Sequence, residues 1–186
     1  MDQRSSTRFV TRPEFLANIA AIVKQDIVDI MLVSASNVEA LADKGVFKKS
    51  AVKPAIRAND TTDIWVGRGA GYSKLASRPF RSASLSRVKQ YTDLGLYSIT
   101  FNNDLDQDYN ALEHFSAFRE DAARNKFNYF LEVFNPNVEC GIDPALVPHY
   151  INDCIIRCLA GVTKADRPQF LKIAYNGPKA LEELAS

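Results

Sequence analysis

The sequence predicts an α/β fold built on a parallel sheet, and three observations carry that prediction. Five strand-like runs alternate with helix-like segments along the whole chain, which is the rhythm of parallel strands joined by helical crossovers. The runs are close to continuously apolar, as strands covered on both faces must be. Two of them nevertheless carry a charge at their centre: Glu132 in Phe130-Leu131-Glu132-Val133-Phe134 and Lys172 in Phe170-Leu171-Lys172-Ile173-Ala174-Tyr175. A covered strand tolerates an ionisable group only when that group is paired, neutralised or turned into a functional cavity.

Taken in order, a helix over Arg12 to Lys24 opens with Pro13 in its first turn and repeats apolar residues at Phe15, Ile19 and Ile22. The strand Val28 to Val33 follows. Ser36 is placed to cap a helix that carries Val38, Leu41 and Ala42 and stops before Gly45. The next strand is Val52 to Ala58, and a long irregular loop from Asn59 to Ser82 comes after it. Beyond that loop the pattern gives a helix over Ser84 to Leu94, a strand Leu96 to Phe101 and a helix from Gln107 to Lys126. A strand Tyr129 to Phe134 leads through Asn135-Pro136-Asn137 and Gly141 to a helix over Pro144 to Ala160. The strand Phe170 to Tyr175 and a short helix after Pro178 complete the chain.

Length and composition set limits. With 186 residues, 46% of them hydrophobic and 24% charged, the chain has the composition of one globular domain, 1–186. Its 23 basic residues balance 22 acidic ones, so no net field recruits nucleic acid or an anionic membrane. No apolar stretch approaches the roughly 20 residues of a membrane span and the N-terminus lacks the apolar core of a signal peptide, so a cytoplasmic setting is expected. Three cysteines, Cys140, Cys154 and Cys158, point to reduced thiols rather than a disulfide framework. Cys154, Cys158 and His149 lack the spacing of a metal site, and no metal is expected.

Two architectures satisfy the rhythm. A doubly wound five-strand sheet suits the length, whereas a (β/α)8 (TIM) barrel wants about 250 residues and eight strands. The charges inside strands favour the barrel, because it has an interior lumen to receive them. No strand runs into a GxGxxG or GxxxxGK[ST] loop. The long loop contains Gly67-Arg68-Gly69-Ala70-Gly71 with Lys74, Arg78 and Arg81, residue types that can bind a phosphate and that equally describe a solvated excursion.

The charges also suggest a chemistry. Desolvation disfavours an ammonium, and a neutral lysine amine attacks carbonyls to give a carbinolamine and then a Schiff base, whose iminium stabilises the carbanion left by C–C cleavage. A neighbouring carboxyl can shuttle the protons. The bland alternative is a structural Lys172–Glu132 pair holding two strands in register. Residues at the C-terminal ends of barrel strands are the natural substrate contacts. They direct attention to Arg57 followed by Asn59 and Asp60, and to Asn102 as a hydroxyl-binding residue. Asp29 and Lys53 fall inside strands, and Tyr175, one residue before a turn, is a further candidate acid.

These residues resemble a family. Phe170-Leu171-Lys172-Ile173-Ala174-Tyr175-Asn176-Gly177 is similar to the Schiff-base strand of class I aldolases of the DeoC/LacD type. Phe130-Leu131-Glu132-Val133 resembles the preceding strand of the tagatose-bisphosphate aldolase branch, and Asp2-Gln3-Arg4 is similar to the close of that branch's first strand. The resemblance implies a barrel running from the last residues of strand one through the helix after strand six, hence a piece of a longer protein without the loops that usually grip phosphate. It implies catalytic roles for Lys172, Glu132 and Asp2, with Arg57 positioning the substrate. Phe134 stands where a related branch carries a catalytic tyrosine, which leaves Glu132 as the proton carrier. The expected activity is that of a lyase of carbohydrate metabolism, cleaving or forming a C–C bond in a sugar or sugar phosphate. No cofactor is required, no nucleic acid or membrane partner is expected, and a homo-oligomer is compatible with the sequence. The rivals are a non-catalytic binding or regulatory domain on a doubly wound sheet, and a barrel performing another carbonyl reaction on the same lysine.

Overall fold

A computed structural model describes residues 10–60, 71 and 73–186. Its five-stranded sheet is wholly parallel. The strands are β1 (Ile30–Val33), β2 (Lys53–Arg57), β5 (Leu94–Thr100), β6 (Asn128–Phe134) and β7 (Leu171–Ile173), hydrogen-bonded in that order. Strands β3 (Asn59–Asp60) and β4 (Phe80–Arg81) form a separate antiparallel pair, so the segment read as one irregular loop is hydrogen-bonded at its base. The sheet order follows the chain order without a reversal.

The helices are α1 (Arg12–Gln25), α2 (Ala35–Asp43), α3 (Leu85–Val88), α4 (Leu105–Arg124), α5 (Val147–Leu159) and α6 (Pro178–Ala185). Helix α1 begins with a capping box in which the Thr11 side chain accepts from the Glu14 N–H and the Glu14 carboxylate accepts from the Thr11 N–H. Its buried stripe is Leu16, Ile19 and Val23, whereas Phe15 and Ile22, expected in the core, lie exposed one position to the side. Helix α2 starts two residues earlier than Ser36 would set it, with Ser34 at the N-cap. Helix α4 starts at Leu105 rather than Gln107, because the Asp104 side chain accepts from the Gln107 N–H and caps it. Among the described residues no helix is long and apolar enough to cross a membrane.

Helix α3 stops after one turn instead of running to Leu94. The Thr92 hydroxyl donates to the Pro54 carbonyl (2.6 Å) and accepts from the Leu94 N–H (3.2 Å), which turns the chain straight into β5. Residue 95 must then be glycine, since a Cβ there would lie 2.8 Å from the Phe127 ring and 3.4 Å from the Ile56 carbonyl oxygen.

Alternation along the strands sorts their side chains into two faces. One face, with Val33, Ile56, Tyr97, Ile99, Tyr129, Leu131 and Val133, packs against α1 to α5 in the main core, where Tyr97 stacks on Phe118 at 4.4 Å between ring centroids. The other face carries Ala55, Leu94, Leu96 and Phe130, with Ile30 and Leu32 beside them, and this second cluster contains strand residues alone. The layer of helices is thus one-sided among the described residues, and Glu132 and Lys172 belong to the face that no described helix covers.

Candidate functional site

Strand register assembles the site. Ser98 of β5 pairs with Glu132 of β6, and Glu132 pairs with Lys172 of β7, so the three side chains form one row across three adjacent strands. The residues two positions earlier form an apolar row beneath it, in which Phe130 stacks on Phe170 with ring centroids 4.5 Å apart. Both carboxylate oxygens of Glu132 are engaged. Oε1 accepts from Lys172 Nζ, and Oε2 accepts from the Ser98 hydroxyl at 2.8 Å. A carboxylate that is only 3% exposed is thereby supplied with a cation and a neutral donor.

The expectation that both charges are buried needs correction. The Lys172 side chain is 54% exposed, because among the described strands β7 lies at the edge of the sheet, with β6 as its partner on one side. Burial holds for the acid and not for the amine.

Arg57 lies at the C-terminal end of β2 on the same face, where its guanidinium meets Asp60 at 3.1 Å. Asn59 continues the row of Ser98, but its amide is spent on structure. Its Nδ2 donates to the Ser98 carbonyl (2.9 Å) and its Oδ1 accepts from the Ser98 N–H (2.7 Å), replacing two rungs of the ladder where β2 leaves β5. Asn102 is likewise built into the scaffold. Its backbone N–H donates to Asp108, and its side-chain oxygen accepts from the Asn137 N–H, which ties the end of β5 to the loop after β6. Its Nδ2 is shut off from solvent without a hydrogen-bond partner among the described residues.

Other candidates fall away from the site. Lys53 is the first residue of β2, at the opposite end of the sheet, and pairs with Asp93. Asp29 precedes β1 and is exposed, and Tyr175 is exposed beyond the end of β7. Asp2, like most of the glycine-rich segment 67–71, lies outside the described residues. Cys158 is buried, and burial lifts its thiol pKa to about 12, which fits an inert core thiol. Among the described residues no group of His, Cys, Asp or Glu is placed to hold a metal ion.

Ser98 is the member that sequence reasoning missed. Its only signal was the spacing of polar residues in Leu96-Tyr97-Ser98-Ile99-Thr100, two apart as on one face of a strand. The arrangement can do one thing directly: pass a proton between a lysine amine and a carboxylate held in a fixed rotamer by a serine. Compared with protein-family models and with curated proteins, the chain matches none.

Proposed function

We propose that this chain carries the lysine of a Schiff-base aldolase acting on a sugar or sugar phosphate, and that its sheet forms consecutive strands of a (β/α)8 barrel. The observation that carries the reading is the direct Lys172–Glu132 contact on the helix-free face of a parallel sheet. Three features support the barrel. The strand order follows the chain without the reversal at which doubly wound sheets bind ligands. Among the described residues the helix core lies on one side only. Edge strands β1 and β7 are flanked by exposed apolar side chains, among them Val28 and Phe170, as unclosed edges of a larger sheet would be.

An ion-paired ammonium has no lone pair, so reaction begins when Glu132 takes a proton from Lys172 Nζ. The amine adds to the carbonyl carbon of the substrate, giving a carbinolamine. Glu132 returns the proton to the carbinolamine oxygen, water leaves, and the iminium forms. Loss of the proton from the substrate's β-hydroxyl then breaks the Cα–Cβ bond, whose electron pair moves into the iminium as an enamine while an aldehyde departs. Protonation of the enamine and hydrolysis release the second product and restore the amine. Ser98 keeps Glu132 aimed along the row, and Arg57 is placed to orient an anionic or hydroxylated end of the substrate.

Borohydride trapping tests the reading. With dihydroxyacetone phosphate or a small aldehyde panel, reduction should add a substrate fragment at Lys172, and Lys172→Met should abolish the adduct. One observation favours the competing view of a purely structural pair: the amine is more than half exposed, not enclosed in a dry cavity. Absence of an adduct with every carbonyl compound tried would decide for that view.

A further inference from the structure

On the opposite, helix-covered side of the sheet, residues of α4 and α5 line a cavity of about 470 Å3, within the range of small-molecule sites. Its walls are Phe101, Leu105, Tyr109, Leu112 and Tyr150. Leu105 and Tyr109 at the rim stay exposed, although each is large and apolar. At one end lies the half-buried carboxylate of Asp108, which accepts from the Asn102 N–H (3.0 Å) and the Tyr150 hydroxyl (3.2 Å). Burial raises the Asp108 pKa, and the groups that oppose that rise are neutral donors: the Asn102, Asn103 and Asp104 N–H groups and the Tyr150 hydroxyl. The Lys172–Glu132 contact shows what this chain does with a buried carboxylate elsewhere: it supplies a cation. The second carboxylate on the lining is Asp153, and Arg157 lies one turn farther along α5.

We propose that the α4–α5 cavity is a binding site for a small organic cation with an apolar, aromatic-sized body, whose ammonium group meets Asp108. The body fills the space between Leu112, Tyr109 and Tyr150, and the ammonium supplies the charge partner that the carboxylate lacks. The acidic lining, two carboxylates against one guanidinium, selects a cation over an anion of the same shape. The site is independent of the Schiff-base reading, since it shares no side chain with the Ser98–Glu132–Lys172 row.

Phenethylamine, its neutral analogue phenethyl alcohol and the anion phenylacetate are suitable probes, titrated by ligand-observed NMR against the intact chain. Saturable binding is expected for the amine, at least tenfold tighter than for the alcohol or the anion. Asp108→Asn keeps the acceptor for the Asn102 N–H and sets its amide N–H against the Tyr150 hydroxyl, which can accept instead of donate, so it should weaken the amine tenfold or more while shifting the melting profile little. Tyr109→Ala, at an exposed rim position, offers a second variant that should weaken it severalfold. The Cys154 thiol lines the same cavity, so its alkylation should slow when the amine is bound while that of Cys140 does not. Equal binding of amine, alcohol and anion, an unaffected Asp108→Asn variant, or no saturable binding of the amine would each overturn the assignment.

Discussion

Removing the amine from the Lys172–Glu132 pair should cost stability that reappears when the acid is removed as well. In Lys172→Met the Glu132 carboxylate, 3% exposed, keeps only the Ser98 hydroxyl as a donor. Breaking a fully buried pair costs about 3 to 5 kcal/mol, and a hydrogen bond to a charged group contributes about 1.5 to 3. Because the Lys172 side chain is 54% exposed, the lower figures apply, and a loss of about 2 kcal/mol is expected. Glu132→Gln removes the buried charge but keeps an acceptor for Ser98, so it should cost only about 1 kcal/mol. In the double variant neither a buried carboxylate without its cation nor a cation without its anion remains, and the total should stay near 1 to 1.5 kcal/mol, a coupling of about 1.5 to 2 kcal/mol. Urea unfolding followed by circular dichroism on all four proteins measures this. Additive losses, within about 0.5 kcal/mol, would refute the pair that both the catalytic and the structural readings require.

Asn59→Ala should destabilise the sheet by about 2 to 4 kcal/mol, since it strands a buried N–H and C=O of Ser98, and the same unfolding assay would expose a smaller effect. Gly95→Ala forces a Cβ against the Phe127 ring and should cost about 1 to 3 kcal/mol, partly recovered by combining it with Phe127→Leu. Asp26 accepts from the Ser50 hydroxyl and the Ala51 N–H, and the first of these does most to lower its pKa. A carboxyl with a lowered folded-state pKa stabilises above its ordinary range and loses that contribution as pH falls through the lowered value. Stability measured from pH 6 down to pH 2 should therefore fall less steeply in Asp26→Ala than in the parent chain.

The sheet was legible because parallel strands are covered on both sides or face a lumen, and so spell long apolar runs that a helix does not reproduce at that length. Glu132 and Lys172 stood out for the same reason, as an ionisable group in such a run is costly enough to demand a cause. Ser98 did not stand out. A serine in a strand costs little, and only the register of β5 against β6 gives it a role. The β3–β4 pair was invisible because two-residue strands have no periodicity, and Asn59 finds its partner Arg81 across a segment whose composition says only loop. Helix α3 was overread for a related reason: Leu85, Val88 and Tyr91 continue a helical repeat, but the Thr92 hydroxyl bonds to Pro54 in another strand and ends it.

The amine's exposure belongs to a different class of information. Nothing local to Phe170-Leu171-Lys172-Ile173 distinguishes an inner strand from an edge strand, because the same apolar alternation serves both. Exposure is decided by what lies beyond β7, which is a property of the sheet and not of the strand. For the same reason the acid and the base of the pair carry unequal weight. Glu132 is buried between neighbours on β5 and β7, whereas among the described strands Lys172 has a neighbour on β6 alone. A further strand beside β7 would leave the hydrogen bonds of Glu132 as they are and would take the amine out of contact with water. The catalytic reading therefore makes a demand that the structural one does not: whatever flanks β7 in the working protein must exclude water from Lys172.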